Sequence, residues 1–366
     1  MAVWQRRTPH LKAIRTRQLA RHGGATHVQR AARGLRRRFG DTPRVLRIAV
    51  LDDYQRRAHE FADWDSLGDG ARVTYFHEPI DRSALPQKLA EFEVLVLMRE
   101  RTAFPRAVLE QLPKLELLVT TGMGNASVDV EHLLERGVVV SGTGGVGGPP
   151  GAGVPSTAEV AWALILALYK RVTLEDRALR AGEWQLDLPQ ILAGATLGLA
   201  GLGRLGGSMV APGRAFGMEV IAWSQNLTDE RTAALGVERV SKQELLERSD
   251  VFSIHLVLSD RTRGLFGASE LASMKRSAVL VNTSRGPIVD EPALVEALRS
   301  RTIAGAGLDV FDREPLPLGH ELTTLENTVL LPHLGYVSEA ALRAMYADAV
   351  QDIAAFAAGE PIRRLS

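Results

Sequence analysis

The chain of 366 residues has 45% hydrophobic residues, 24% charged residues and a formal net charge of +1, a composition typical of a folded protein with two domains. It contains no cysteine, which excludes disulfide frameworks, thiolate metal sites and cysteine nucleophiles, and no other metal site is predicted. No run of about eighteen apolar residues occurs, so we predict no membrane span and expect a cytoplasmic location.

The first 44 residues are strongly basic. They carry twelve Lys or Arg residues against a single acid, Asp41, so this segment is +11 and the rest of the chain is −10. We interpret residues 1–44 as a disordered extension or as translated upstream sequence. A nucleic-acid-binding arm is the alternative, although few aromatic residues interrupt the basic ones. No secretory signal is predicted because no apolar run follows Arg6 and Arg7, and a transit peptide would normally contain serine.

Short apolar runs separated by helical segments occupy the chain from residue 45 to residue 147. The runs are VLRIAV, VTYF, EVLVLM, ELLVTT and GVVVSG. Strands that alternate with helices predict βαβ units and a parallel sheet. The stretch GTGGVGGPPGAGVPS then breaks both helix and strand, so we predict a link between two domains there.

A second α/β series follows this link. Ser156 and Glu159 have the spacing of a capping box, which predicts the start of a buried helix. Six apolar runs then predict a doubly wound nucleotide-binding sheet: TLGLAGLG, EVIAW, VFSIHL, AVLVNTS, GAGLDV and TVLLP. A last helix is predicted from about Ser338 to Ala358, because Gly359 can end it, and we expect it to return to the first domain.

The stretch GLGRLGG has the G-x-G-x-x-G spacing at Gly201, Gly203 and Gly206. It follows an apolar strand and opens a helix, which is the context that a dinucleotide-binding turn requires. Gly203 lets the backbone approach the pyrophosphate, and we predict that Arg204 and Leu205, at the start of the helix, contact the dinucleotide as well. A tight turn without a ligand is the alternative.

The acidic residue that usually follows the next strand and binds the ribose hydroxyls of NAD is absent, because Ser224 stands at this position. Its absence removes a barrier to the 2′-phosphate of NADP. However, no arginine follows immediately, and the nearest positive charge is Arg231. We therefore predict NAD or NADP and leave the choice open.

Three further stretches place polar residues directly after apolar strands, where doubly wound folds keep their sites. LVNTSRGPIVDE carries Thr283 and Arg285, AGLDVFDREPL carries Asp309 and Glu314, and LLPHLGYVS carries His333. Histidine suits proton transfer near neutral pH, and a neighbouring carboxylate favours and orients the imidazolium. An arginine fork can bind a carboxylate while it polarises a carbonyl.

The order and spacing of these motifs resemble the D-isomer-specific 2-hydroxyacid dehydrogenase family, which includes phosphoglycerate dehydrogenase and glyoxylate/hydroxypyruvate reductase. The resemblance covers about residues 45–360. It implies an α/β fold with two doubly wound parallel-sheet domains. A Rossmann dinucleotide-binding domain, residues 148–334, is inserted in a flavodoxin-like substrate domain, residues 45–147 and 335–366.

The resemblance also implies the activity. It predicts hydride transfer between NAD or NADP and C2 of a small D-2-hydroxy acid or 2-oxo acid. His333 and Glu314 would form the acid/base pair, and Arg285 would bind the substrate carboxylate. Thr283 and Asp309 are implied as cofactor contacts. A homodimer through the dinucleotide domain is carried over from the family in the same way.

The stretch VTTGMGNASVD resembles the substrate loop of the family. It implies that Gly122, Met123 and Gly124 offer backbone N–H groups to the substrate carboxylate. Arg99 and Tyr336 are predicted either to line the substrate pocket or to lie on the surface.

The chain departs from the family pattern near His255, which we interpret as a structural residue. Val257 stands where the family usually has proline, so the shape of this loop is open. Two other functions are compatible with the fold: a non-catalytic, dinucleotide-dependent scaffold like the family's corepressors, and a formate- or phosphite-type dehydrogenase.

Overall fold

The computed structural model describes residues 45–144 and 155–366. The basic segment 1–44 and most of the predicted interdomain link therefore lie outside the described residues. Within the described ranges the strands form two separate sheets, and every strand pair is parallel.

The first sheet contains the five strands predicted near the start of the chain. They are β1 Leu46–Val50, β2 Ala71–Tyr75, β3 Val94–Leu97, β4 Leu117–Thr120 and β5 Val139–Gly142. The helices of this part are α1 Ala58–Phe61, α2 Leu85–Leu89, α3 Arg106–Leu109 and α4 Val130–Glu135, with 3₁₀ helices at Trp64–Gly70 and Arg82–Ala84. The strand order β2-β1-β3-β4-β5 is that of a flavodoxin-like sheet. The central strand β3, with the sequence VLVL, is apolar throughout because helices cover both faces.

The second sheet has seven strands, one more than predicted. They are β6 Thr196–Ala200, β7 Glu219–Trp223, β8 Glu238–Arg239, β9 Val251–Ile254, β10 Val279–Asn282, β11 Gly305–Leu308 and β12 Thr328–Leu330. The order β12-β11-β10-β9-β6-β7-β8 is that of a Rossmann sheet. The additional strand β8 consists of two exposed charged residues at the sheet edge, so it has no apolar pattern that could predict it.

The helices of this second part cover both faces of its sheet. They are α5 Ser156–Tyr169, α6 Val172–Arg180, α7 Arg204–Ala215, α8 Asp229–Leu235, α9 Lys242–Arg248, α10 Ala268–Ala272 and α11 Glu291–Arg299, with 3₁₀ helices at Gly286–Ile288 and Glu321–Thr324. The predicted capping box at Ser156 and Glu159 is wrong. Pro155 occupies the N-cap position and no side chain caps the helix. Ser156 is already the first helical residue, and its hydroxyl cannot cap from there.

The last helix, α12 Glu339–Ala357, returns to the first sheet as predicted. Ser338 caps it, and Gly359 with a φ of +84° follows its end. Met345 and Phe356 pack in the same apolar core as strands β1 and β3. The Rossmann unit is thus inserted in the flavodoxin-like unit. The exact boundaries, 45–147 with 335–366 and 148–334, stay predictions.

The strand order of the second sheet reverses between β6 and β9, and a ligand crevice forms where such a reversal occurs. Ala200 and Ile254 are paired at the carboxyl ends of these strands, so the loops that follow both strands meet at one edge. Among the helices that the structure describes, we find none with the length and apolar character needed to cross a membrane.

Candidate active site

His333 and Glu314 lie in the loops after β12 and β11 and contact each other directly. Nδ1 of His333 is 2.6 Å from Oε2 of Glu314. The other carboxylate oxygen accepts the backbone N–H of Phe311 at 2.9 Å, which fixes the orientation of the carboxylate. Nε2 of His333 has no partner in the described parts of the chain, so this nitrogen is available to a ligand.

The backbone of His333 is held by Asp309. His333 has a φ of +55°, a left-handed conformation that side chains disfavour, so neighbouring groups must maintain it. The buried carboxylate of Asp309 accepts the N–H of Leu334 at 2.7 Å and that of Gly335 at 2.8 Å. The hydroxyl of Thr157 donates to the carbonyl of Gly335 at 2.8 Å. Burial raises the pKa of Asp309 to about 6.

Arg285 extends from the loop after β10 toward the first sheet. Its Nη2 lies 3.1 Å from Oε2 of Glu100, and its Nη1 donates to the carbonyl of Ser284 at 2.7 Å. The buried Asn282 shapes this loop: its amide donates to the carbonyl of Arg285 and its oxygen accepts the N–H of Ser284, both at 3.0 Å. Arg285 is therefore paired with a carboxylate of the chain where the two halves of the molecule meet.

Gly286 brings the arginine loop against the loop that carries Glu314. A Cβ at Gly286 would lie 2.1 Å from the carbonyl carbon of Phe311, so any other residue would separate the two loops. Because Phe311 also donates to Glu314, this contact sets the distance between the arginine loop and the His–Glu pair.

The glycine turn after β6 has the geometry of an anion cradle. Gly201 has a φ of +100°, and a Cβ at Gly206 would lie 2.0 Å from the carbonyl oxygen of Gly201. In contrast, no atom lies within 4 Å of the Cβ position of Gly203, so the space before it is open. Arg204 and Leu205 form the first turn of α7, whose N–H groups have no intrahelical partner. These features fit a bound phosphate.

Further polar residues follow strands of the same sheet. Ser224 follows β7, whose last residue, Trp223, accepts the N–H of Gly201 at 2.8 Å. The hydroxyl of Thr283 is buried and has no partner among the residues described, which fits a contact to a bound cofactor. His255 is partly buried beside Gly201, and burial lowers its pKa to about 4, so its ring is neutral at pH 7. Val257, the departure from the family pattern, is exposed.

The loop Gly122–Gly124 follows β4. The N–H of Gly122 donates to the hydroxyl of Thr143 at 2.8 Å, so it is not available to a substrate. The prediction for Gly122 therefore needs correction. The N–H groups of Met123 and Gly124 have no acceptor in the described ranges. Arg99 covers this loop, because its Nη1 would be 2.0 Å from a Cβ at Gly122.

A cavity of about 470 Å³ lies beside His333 and Glu314, between residues of the two sheet units. The flavodoxin-like side contributes Tyr54 and Arg101, and most of the opposite wall is apolar, with residues such as Leu331. A cavity of this size has room for more than a two-carbon acid.

Tyr336 is buried next to the histidine, and its surface alternative is wrong. Its ring centroid is 5.3 Å from that of His333, and its hydroxyl has no partner within the described chain. The guanidinium of Arg101 lies 4.6 Å from the ring of Tyr54 and 5.4 Å from that of Tyr336. Arg101, which the sequence analysis did not single out, is therefore the arginine of this wall.

Comparison with known proteins gives a consistent result. The family model described as "D-isomer specific 2-hydroxyacid dehydrogenase, NAD binding domain" matches residues 162–335. The glyoxylate reductase of Aeropyrum pernix is 42% identical over 262 residues, which cover 69% of this chain and 76% of that protein. The D-3-phosphoglycerate dehydrogenase of Methanocaldococcus jannaschii is 36% identical over 270 residues, covering 72% of this chain and 50% of that protein.

The chain belongs to the D-isomer-specific 2-hydroxyacid dehydrogenase family. A crystal structure of a phosphoglycerate oxidoreductase from Vibrio cholerae has a TM-score of 0.79 and 34% identity, and covers 86% of this chain and 99% of that one. The protein is therefore an NAD(P)-dependent dehydrogenase that transfers hydride between its cofactor and 2-hydroxy or 2-oxo acids. The relatives named are enzymes, so the scaffold alternative is not favoured.

Several residues of this dehydrogenase site were missed by the sequence analysis. Asn282 shapes the loop of Arg285, Glu100 pairs with its guanidinium, and Thr143 accepts one N–H of the substrate loop. Asn282 ends an apolar strand in a polar stretch, so its position was a usable signal. Nothing in the sequence around Glu100 or Thr143 points to these long-range contacts.

Proposed function

We propose that the protein reduces a small 2-oxo acid to the D-2-hydroxy acid, with His333 as the proton donor. The observation that carries this proposal is the 2.6 Å contact between Nδ1 of His333 and Oε2 of Glu314. Since Nδ1 is engaged by the carboxylate, Nε2 is the nitrogen that would donate to the developing alkoxide. The nicotinamide, when bound, supplies the hydride for C2.

Glu314 orients the imidazole and compensates the charge of its protonated form. Its own carboxylate is fixed by the N–H of Phe311. Asp309 accepts the backbone N–H groups of Leu334 and Gly335, the two residues after His333, and so holds the backbone of His333 in place. We thus propose two roles for Asp309: it positions the loop that carries His333, and it contacts the bound cofactor.

The substrate carboxylate binds Arg285 together with the N–H groups of Met123 and Gly124. Two observations support this assignment. These two N–H groups have no acceptor among the described residues, and Arg285 lies next to Glu100, which belongs to the flavodoxin-like unit. The substituent at C3 would enter the cavity lined by Tyr54 and Arg101. Closure of the two units on the ligands would exclude water from this site.

For the cofactor, Gly203, Arg204, Leu205 and Thr283 would hold the phosphates and ribose. The open space before Gly203 and the unpartnered hydroxyl of Thr283 support this part. Gly201 and Gly206 serve the shape of the turn, because both lie against backbone atoms.

The test follows the absorbance at 340 nm with NADH and, separately, NADPH, against glyoxylate, hydroxypyruvate, pyruvate and longer 2-oxo acids. Turnover of any of them is expected. A His333→Ala variant should lose about 10² to 10⁴-fold in kcat. Glu314→Gln should lose less, since the amide oxygen can still accept from Nδ1. Near-normal turnover by a folded His333→Ala protein would remove His333 from proton transfer, and cofactor binding without any turnover would favour the scaffold alternative.

We also propose that the protein is a homodimer. Helix α6 and the segment after it expose several large apolar side chains, among them Trp184 at 75%, Leu188 at 88% and Ile191 at 71%. Contiguous exposed apolar groups of this kind mark protein interfaces. They lie on the dinucleotide unit, as the predicted homodimer requires. The cytoplasmic location stays a prediction.

A further inference from the structure

Arg231 is an exposed arginine of α8 whose side chain folds back onto the glycine turn. Its Nε donates to the carbonyl of Leu202 at 2.8 Å and its Nη2 to that of Gly203 at 3.2 Å. The Nη2 also lies 3.1 Å from the Cβ position of Gly207, so the guanidinium covers the start of α7. The tertiary structure thus places a positive charge at the phosphate-binding end of the sheet, seven residues after Ser224 in the chain.

The charge of Arg231 is not compensated within the described part of the protein. Asp229 of the same helix is paired with Arg239 at 2.8 Å, and no described carboxylate oxygen lies within ion-pair distance of Arg231. Two of the guanidinium nitrogens bond to backbone carbonyls, which leaves further N–H donors. A guanidinium with free donors is well suited to phosphate oxygens.

Ser224 lies next to the same turn, because the residue before it is bonded to Gly201. An acid at this place would bind the ribose hydroxyls of NAD and repel a 2′-phosphate. Ser224 has no charge, and the following Gln225 and Asn226 are exposed amides that can donate hydrogen bonds. The end of β7 therefore contains no group that repels phosphate.

We propose that Arg231 and Ser224 form a site for the 2′-phosphate of NADP(H), so that the protein binds NADP(H) more tightly than NAD(H). The proposal concerns the adenosine end of the cofactor and is independent of the proposed proton donor. A charge-assisted contact of this kind predicts a preference of about tenfold.

The test measures binding without turnover. Isothermal titration calorimetry compares adenosine 2′,5′-bisphosphate with adenosine 5′-monophosphate, which differ only in the 2′-phosphate. The wild-type protein should bind the bisphosphate about tenfold more tightly, and the preference should shrink as salt is added. In Arg231→Ala the preference should disappear, while the affinity for the monophosphate changes less than about twofold.

Arg214→Ala is the matched control. Arg214 also donates to a backbone carbonyl, that of Gly236, but near the other end of α7. It should keep the preference for the bisphosphate. The proposal is overturned if the wild-type protein binds both probes equally, if Arg231→Ala keeps the preference, or if Arg214→Ala loses it as well.

Ser224→Asp is a second variant that does not remove the backbone bonds of Arg231, so it serves if Arg231→Ala fails to fold. It should weaken binding of the bisphosphate about tenfold, because two negative groups would then face each other. Calorimetry with NADP⁺ and NAD⁺ should show the same loss for NADP⁺ alone. An unchanged ratio in Ser224→Asp would contradict the proposal.

Discussion

Arg285 and Glu100 form an ion pair between the two sheet units, with 3.1 Å between Nη2 and Oε2. The same oxygen of Glu100 is 3.7 Å from Nε of Arg99. The guanidinium that we propose for the substrate carboxylate thus already faces a carboxylate of the chain. A substrate must compete with Glu100 for Arg285 or share it.

Glu100→Gln should therefore lower the KM for 2-oxo acids. Loss of the internal carboxylate frees the guanidinium for the substrate, and a partly exposed pair of this kind predicts a decrease of about threefold to tenfold. The kcat should change less, because Glu100 does not contact the proton donor. Steady-state kinetics with the preferred 2-oxo acid measure both values.

Glu270→Gln is the matched control for this change. The pair Lys242–Glu270 has a distance of 2.9 Å and side-chain exposures of 34% and 21%, against 33% and 20% for Arg285–Glu100, but it lies outside the site. The KM of the Glu270→Gln variant should equal that of the wild-type protein. A rise in the KM of Glu100→Gln would mean instead that Glu100 holds Arg285 in the position that binds substrate.

Most of the strands, and the proximity of His333 and Glu314, could be predicted from the sequence. Eleven of the twelve strands in the described ranges follow from apolar runs, because strands covered on both faces must be apolar. Glu314 and His333 follow neighbouring strands of one parallel sheet, so their loops meet at the same edge, and the structure indeed brings the two side chains into contact.

Contacts between the two units could not be predicted in this way. Glu100 and Arg285 belong to different sheets, and no periodic pattern relates their positions. The bond from Gly122 to Thr143 joins the ends of neighbouring strands through a side chain whose direction no motif specifies. The contact of the Arg231 side chain with the glycine turn depends on the conformation of the loop after β7, which could not be predicted from the sequence.

Asp309→Asn should reduce kcat and change its dependence on pH. The carboxylate accepts two N–H groups, whereas an amide presents N–H donors to one of them, so the backbone of His333 would shift. Burial raises the pKa of Asp309 to about 6, and protonation removes an acceptor in the same way. In the wild-type protein activity should fall as the pH drops below about 6.

This acidic decrease should be missing from the residual activity of Asp309→Asn. Asp312→Asn serves as control, because Asp312 is an exposed acid of the same segment outside the site. It should keep both the kcat and the pH profile of the wild-type protein. An unchanged kcat in Asp309→Asn would show that the two hydrogen bonds are not needed to position His333.

Leu188→Glu should convert the proposed dimer to a monomer. The leucine is 88% exposed within the apolar segment after α6, and a charge buried in an interface is strongly unfavourable. Light scattering coupled to size-exclusion chromatography measures the mass. Leu318→Glu is the control, since Leu318 is fully exposed elsewhere on the surface and its substitution should leave the mass unchanged. A wild-type protein with the mass of a single chain would contradict the dimer itself.

Asp352→Asn should make the stability less dependent on pH. Asp352 is 0% exposed on α12, with Oδ1 2.9 Å from Nε of Arg363, while Oδ2 has no partner in the part of the chain described. Burial raises the pKa of Asp352 to about 7, although Arg363 opposes this shift. Because the folded pKa is raised above the unfolded value of 3.8, the stability that this proton contributes is fully present below pH 3.8 and is lost as the pH rises to about 7.

Asparagine resembles the protonated carboxyl at every pH, so its substitution removes this loss. The unfolding free energy of Asp352→Asn minus that of the wild-type protein should therefore rise between pH 4 and pH 8, by up to about 4 kcal/mol. Urea unfolding of both proteins across this range measures the difference. A constant difference for Asp352→Asn would mean that this carboxyl has the same pKa in the folded and unfolded chain.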